Sequence, residues 1–331
     1  MYKLRGLTHG GIMVNYQCNA ACRHCLYSCS PARADDYMTA ETAAEICEIL
    51  ATGNCHSVHI GGGEPFLDFD GLITVLKIAQ KANIQVDYVE TNAFWATNAE
   101  QVKSYLKALE SVDVDTICIS LDPFHAEYVP FALPLRLAEL CRQNNFGYFL
   151  WQERFLQSLA RVSPTTAHNR EYLEEAMSPD YIRKTAKRYG LSMGGRAINI
   201  EAEYEQPQPI SDILEEQPPC RHLITTNHFH VDLYGKFIPP GCTGMAIPFA
   251  EIVSGVPENT YPAYEALLTG GITKLLTFAK NQGFTPENAY TSKCMLCFRA
   301  RHWLSQNANC PELTPEHYEA SLTYYDNVKA Q

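Results

Sequence analysis

The sequence is poor in positive charge. Its 331 residues carry 26 Lys and Arg against 37 Asp and Glu, a net charge of −11. A chain that neutralises phosphates needs the opposite balance, so neither nucleic acid nor an anionic membrane surface is an expected partner. Long apolar runs are missing as well, since none approaches the roughly 18 residues of a membrane span. The N-terminus, MYKLRGLTHGGIMVNYQC, has neither the long apolar stretch nor the small-residue cleavage site of a signal peptide. A cytoplasmic location is the expectation. Internal repeats and long low-complexity segments are absent too.

Cysteine is abundant, with 13 residues. Without a secretory signal, disulfides are a poor explanation, because the cytosol keeps thiols reduced. Cys47, Cys118 and Cys141 fall inside apolar patterns such as AAEICEIL and TICISLD, where a thiol buries like a small hydrophobe. Cys55 is a lone loop residue. The remaining nine cluster near the two ends of the chain.

Short β-branched runs alternate with amphipathic windows. Strands are expected at 12–16, 58–60, 84–89, 115–121 and 146–152, with a sixth, RAINI, at 196–200. Helices are expected from the Thr39 cap to Leu50 and over 69–82, 97–110, 132–144 and 171–189. Such alternation implies an α/β fold with a parallel sheet and right-handed crossovers. Chemistry then gathers at the C-terminal ends of the strands. Cys18 follows the first strand, GGGEP the second, ETN the third and DPFH the fourth. After about residue 200 the pattern changes to a Pro- and acid-rich linker. HFHVDLYGKFIPPGC then reads as a hairpin, and CMLC and Cys310 lie further on.

Cys18, Cys22 and Cys25 form C-x3-C-x2-C on a loop after a strand. Three thiolates on so short a loop can hold three irons of a cubane and leave the fourth open. With Cys29 as a fourth ligand, a structural zinc ion is the alternative. Glycines 61–63 allow close backbone approach, and Glu64 can accept from an ammonium group. Ser120 and Asp122 offer a hydroxyl and a carboxylate to ribose. Cys220, Cys242, Cys294 and Cys297 form a second thiolate set, compatible with iron–sulfur or zinc. His125 is an active-site candidate at a strand end. Trp151 and Glu153 close the fifth strand, where they could touch substrate or simply pack. His228 and His230 alternate on a strand and are expected to face solvent.

CNAACRHC resembles the radical S-adenosylmethionine (SAM) signature, and GGGEP resembles that superfamily's Gly-Gly-Glu motif. The resemblance implies a partial (β/α)6 barrel over 1–205 with a small auxiliary-cluster domain of the SPASM or twitch type over 206–331. It implies a 4Fe–4S cluster on Cys18, Cys22 and Cys25 whose open iron binds SAM. Gly62, Gly63, Glu64, Asn92, Ser120, Asp122 and Arg196 (in MGGRA) would line the cofactor. An auxiliary 4Fe–4S cluster would sit on Cys220, Cys242, Cys294 and Cys297, with flavodoxin or ferredoxin as electron donor. CRHCLYSCSP, GGGEPFLDF, TNAFWA, SLDPFHAEYV and IPPGCTG are similar to segments of radical SAM peptide epimerases. Those enzymes end the hairpin in two thiols, one of them a hydrogen donor, whereas this chain has Gly241-Cys242. Cys242 is therefore ligand or donor, with Cys29 or Cys310 as substitutes for the missing thiol. Leu223 and Ile224 stand where the epimerases carry an acid.

The expected function is radical modification of a ribosomally made peptide, by epimerisation or a related change. The alternatives are a small-molecule substrate in cofactor or natural-product synthesis and a non-catalytic zinc scaffold. The cluster loop begins at residue 18, so no peptide-recognition domain is expected ahead of it.

Overall fold

Each of the first five β-branched runs becomes a strand. The computed structural model describes residues 2, 7–192, 194–215, 218–225 and 227–329, so Met193 of MGGRA and Glu216 and Gln217 of the linker lie outside the described residues. The order is β1 (Gly10–Met13), α1 (Ala40–Thr52), β2 (Ser57–Gly61), α2 (Phe69–Lys81), β3 (Gln85–Thr91), α3 (Ala99–Glu110), β4 (Thr116–Ser120), a short α4 (Pro123–Ala126), α5 (Ala132–Gln143) and β5 (Gly147–Trp151). Thr39, Asp68 and Asn98 start α1, α2 and α3 by accepting backbone N–H groups that have no partner inside the helix.

Two expectations are corrected. The helix over 171–189 is two helices, Arg170–Met177 and Tyr181–Tyr189. Ser178 between them is extended, as the residue before Pro179 must be to clear the proline ring. RAINI is not a strand. Its residues 197–200 open the helix Ala197–Tyr204 and are all buried, so no polar face betrays a helical period.

The sixth parallel strand is Phe229–Asp232, which pairs with β1 through Gly10 opposite Phe229 and Ile12 opposite Val231. The sheet runs β5, β4, β3, β2, β1, then Phe229–Asp232, Lys236–Ile238 and Ile247–Pro248, with the last two strands antiparallel. The expected hairpin forms, turning at Gly235 with φ of 68°. The fold is thus α/β with a mostly parallel sheet, as expected. A chain segment more than 200 residues downstream supplies the strand beside β1.

The pleat gives the sheet two unlike faces. Ile12, Val58, Ile60, Val89, Ile117, Phe229 and Val231 pack into one apolar cluster with the helices, joined by Cys47 and Cys141. Cys118 is buried as expected, but on the other face, opposite Glu90 in register. That face also carries Met13, His59, Gly61, Tyr88 and His230 by alternation, and it leads to the strand ends.

Phe229→Ala tests how the late strand is held. Its ring is fully buried and stacks on Phe249 with centroids 5.5 Å apart. A large-to-small change at such a site costs about 3–5 kcal/mol. The urea midpoint of the cluster-free protein should fall accordingly, and an unchanged midpoint would mean the strand is not part of the cooperative fold.

Candidate active site

The three cysteines after β1 are held from behind. Arg196 is 1% exposed, and its guanidinium donates to the Cys22 carbonyl at 2.9 Å and to the Cys29 carbonyl at 2.6 Å. Its own N–H donates to the Cys25 carbonyl at 3.1 Å. Gly195 has φ of 53°, and a Cβ there would lie 2.1 Å from the Leu26 carbonyl oxygen. Arg196, expected along the cofactor, thus grips the backbone of the cysteine loop. None of the three thiols is in a disulfide.

The Gly-rich turn is zipped to the same loop. Gly63 N–H donates to Asn15 O at 2.9 Å and Glu64 N–H to Gln17 O at 3.0 Å. A Cβ on Gly63 would fall 1.9 Å from Gln17 O, and Gly62 adopts φ of 146°. Gly62 and Gly63 therefore let two backbone segments meet.

Glu64 is fully buried. Its Oε1 accepts from Phe66 N–H at 3.1 Å and the Thr91 hydroxyl at 2.8 Å, and its Oε2 accepts from Asn92 N–H at 2.7 Å. A carboxylate has about four acceptor positions, which leaves one, on Oε2, for an ammonium group. Burial raises its pKa to about 7, against the pull of these hydrogen bonds.

Asn92 and Asp122 are also committed to the protein. Asn92 Nδ2 donates to Asn19 Oδ1 at 2.8 Å and lies 3.8 Å from Cys18 Sγ. Asp122 Oδ1 accepts the N–H groups of Phe124 and His125, and its Oδ2 meets His125 Nδ1 at 2.6 Å. Burial would raise the Asp122 pKa, but His125, His24 and the hydrogen bonds outweigh it and hold it at about 2. Burial works against the His125 imidazolium, yet Asp122 prevails and raises its pKa. Asp122 is thus the orienting partner of His125, whose side chain is 20% exposed at the strand ends. Ser120 closes β4 opposite Trp151, whose indole donates to the Tyr189 hydroxyl at 2.9 Å.

His24, between Cys22 and Cys25, was not singled out by the pattern. Its ring stacks on Phe124 at 4.7 Å and meets His125 and Tyr189 edge-on at 5.0 Å. Burial lowers its pKa to about 3. Its one sequence signal is its place inside the cysteine loop.

The thiols fit a metal group. Burial raises Cys18 to about 12, so metal binding there must displace a proton. The Cys29 thiol, hydrogen-bonded to Cys25, together with Arg196 draws Cys25 below the ordinary thiol range. In the second set, Cys294 and Cys297 share a face of the helix Lys293–Asn307, one turn apart. Burial raises Cys242 to about 12, with added repulsion from Cys297, Cys220 and Cys294. Arg301 opposes this, and its Nη1 donates to Thr243 O at 2.9 Å. Cys310 lies instead against Glu312 and Ala263. Among the described residues, the groups whose ligand atoms converge within 4.8 Å are two histidine-containing ones, and neither cysteine set is among them. The sulfurs of a zinc tetrathiolate would sit roughly 3.8 Å apart, given Zn–S distances of about 2.3 Å.

Residues 12–163 match the model of the Radical SAM superfamily. The protein therefore carries a radical SAM domain, the catalytic domain of an enzyme class that uses a 4Fe–4S cluster and SAM. It is similar to the putative peptide biosynthesis protein YydG of Bacillus subtilis (strain 168), with 28% identity over 118 residues. That alignment takes in 36% of this chain and 37% of YydG, so the chain spans well under half of that relative's length. The solved structure of anSMEcpe with AdoMet and the Kp18Cys peptide aligns over 97% of this chain and 99% of its own, at 12% identity and a TM-score of 0.45. BtrN with AdoMet and 2-DOIA aligns over 82% and 91%, at 13% identity and a TM-score of 0.43. No helix among the described residues is long and apolar enough to cross a membrane.

Glu64→Gln tests the buried carboxyl. Its folded pKa of about 7 lies above its ordinary 4.5, so its contribution to stability is fully present below pH 4.5 and is lost as pH rises through 7. The unfolding free energy of cluster-free wild type, read by urea unfolding at each pH, should fall across that window relative to Glu64→Gln by on the order of 3 kcal/mol. Parallel pH profiles would show that Glu64 is ionised in the fold.

Proposed function

We propose that the protein is a radical SAM enzyme that abstracts a hydrogen atom from a carbon of a ribosomally made peptide. The observation that carries this reading is the loop after β1 that bears Cys18, Cys22 and Cys25, held by Arg196 at the carbonyls of Cys22, Cys25 and Cys29 and lying inside the segment matching the Radical SAM superfamily. A 4Fe–4S cluster with SAM, when bound, supplies one-electron cleavage of SAM and a hydrogen-abstracting 5′-deoxyadenosyl radical. The chain's own part is orientation and exclusion of water. The remaining acceptor position of Glu64 takes the SAM ammonium, and Gly62 and Gly63 keep that turn against the loop. Ser120 borders the sugar, and the Asp122–His125 pair stands at the rim as a fixed hydrogen-bonding group.

The peptide substrate is supported by the name of the partial relative YydG. A cavity of about 830 Å³ offers room for a short segment between the loop after Cys25, the hairpin and the last helix, where Tyr27, Arg33, Tyr234 and Lys236 line it. Glu64, Asn92 and His125 do not line it, so a peptide held there reaches the radical only through a segment that extends to the strand ends. The radical SAM part comprises residues 1–205, to whose sheet the later strand Phe229–Asp232 is added beside β1. Residues 206–331 form an auxiliary domain in which Cys220, Cys242, Cys294 and Cys297 hold a second 4Fe–4S cluster, with Arg301 balancing its charge. A flavodoxin or ferredoxin supplies the electron, in the cytoplasm. With Cys242 a ligand, the product is a peptide changed by epimerisation using another donor, or by a related reaction.

Anaerobic reconstitution tests this. Wild type with a strong reductant should release 5′-deoxyadenosine, and the Cys18→Ala, Cys22→Ala, Cys25→Ala triple variant should release none. Persistent release in that variant would overturn the assignment. Cys242→Ala should lower iron from about eight to about four per chain. A full iron complement would overturn the ligand role of Cys242 and favour epimerisation. Turnover of a small molecule but of no peptide would move the substrate class.

A further inference from the structure

Across β1, β2 and the late strand, near the start of β1, four imidazoles meet. His9 precedes β1, His59 lies within β2, and His228 and His230 flank Phe229 on the late strand. His9 Nδ1 and His228 Nδ1 are 3.3 Å apart while their ring centroids are 5.4 Å apart. The rings therefore meet nitrogen to nitrogen. The His59 and His228 rings are nearly parallel, at 8° with centroids 5.3 Å apart, and the His9 ring lies 5.5 Å from His59. One ligand nitrogen from each of the three falls within 4.8 Å of the others.

The room is built for them. Gly11 lies between His59 and His230 in the strand register, and a Cβ there would fall 2.3 Å from His59 Nε2 and 2.6 Å from His230 Cδ2. His59 is 2% exposed, and its Nδ1 is buried without a hydrogen-bond partner. Burial, with the imidazoles of His230, His228 and His9 adding to it, lowers the His59 pKa well below its ordinary value, and the Gly10 backbone opposes this only in part. Burial lowers His228 and His230 as well. Those three rings, His59, His228 and His230, are thus favoured in the neutral form that binds metals. Asp87 Oδ2 stands 3.1 Å from His9 Nε2. A proton on Nε2 then donates to the carboxylate and leaves the Nδ1 lone pair facing His228, the carboxylate–histidine arrangement that orients metal ligands.

We propose that His9, His59 and His228 form a binding site for a late first-row divalent cation such as zinc, oriented by Asp87 and separate from both cysteine sets. The 3.3 Å nitrogen spacing equals the roughly 3.3–3.4 Å between two nitrogens of a tetrahedral zinc ion at 2.0–2.1 Å. His228 is exposed, which gives the ion a path in and leaves a fourth position for water. An ion here links β1, β2 and the late strand, and so joins the two ends of the chain.

The test uses the reconstituted enzyme, stripped of loosely held metal, given one equivalent of zinc chloride and desalted. Wild type should retain about one zinc per chain, and its X-ray absorption should fit nitrogen and oxygen ligands at 2.0–2.1 Å with no sulfur near 2.3 Å. The Cys18/Cys22/Cys25→Ala variant should retain that zinc. Asp87→Asn should weaken it by about 10- to 100-fold. His228→Gln, at an exposed position, should lose it with iron content unchanged, so the result does not depend on the folding of His59→Ala. A sulfur shell, equal retention by His228→Gln, or no retention by wild type would each overturn the proposal.

Discussion

The grip of a buried guanidinium on one loop is the interaction the rest of the site depends on. A stretch such as Cys18–Cys29 has little secondary structure of its own, so its carbonyls must find donors elsewhere. Arg196 supplies them at Cys22, Cys25 and Cys29. Residues 15–17, just before the loop, are pinned by the Gly-rich turn after β2. With both sides tied, the three thiols project from a backbone that cannot rearrange freely, the preorganisation a metal group needs. Glu64 extends the constraint to β3 by accepting from Thr91 and Asn92, and Asn92 returns to the loop through Asn19.

The same economy explains why several polar residues serve the scaffold first. Asp122 spends both oxygens within α4, and its reward is a held His125. Glu64 keeps one acceptor position free. A site that must contain a reactive radical gains from groups fixed by the protein, because a loose polar side chain brings water with it.

Much of the fold was legible in the sequence. The first five strands were readable because continuous β-branched runs between turn residues have few other uses, and their register left the chemical residues at the strand ends. The sixth was misplaced because RAINI has strand-like residues and is buried on every side. The true strand, around Phe229, pairs with β1 over a separation that no local pattern encodes. At the site, cysteine spacing was readable since ligand spacing is a local property. The partners of Glu64, Asn92 and Arg196 were not, because they lie between segments far apart in sequence. His230, expected to face solvent, turns inward against His59 and Tyr27, since the register puts it level with Gly11 and His59 on the face opposite Phe229 and Val231. His24 escaped notice because nothing about one histidine in a loop distinguishes it from a solvated residue.

The central claim is that Cys18, Cys22 and Cys25 leave one iron of a cluster open to SAM. Electron paramagnetic resonance of the chemically reduced, reconstituted protein addresses it directly, ideally in a Cys294→Ala, Cys297→Ala background that removes the second set. The account predicts a 4Fe–4S signal whose g-values shift when SAM is added, because the open iron gains ligands. A signal indifferent to SAM, or a protein that takes up zinc and no iron at these cysteines, would contradict it.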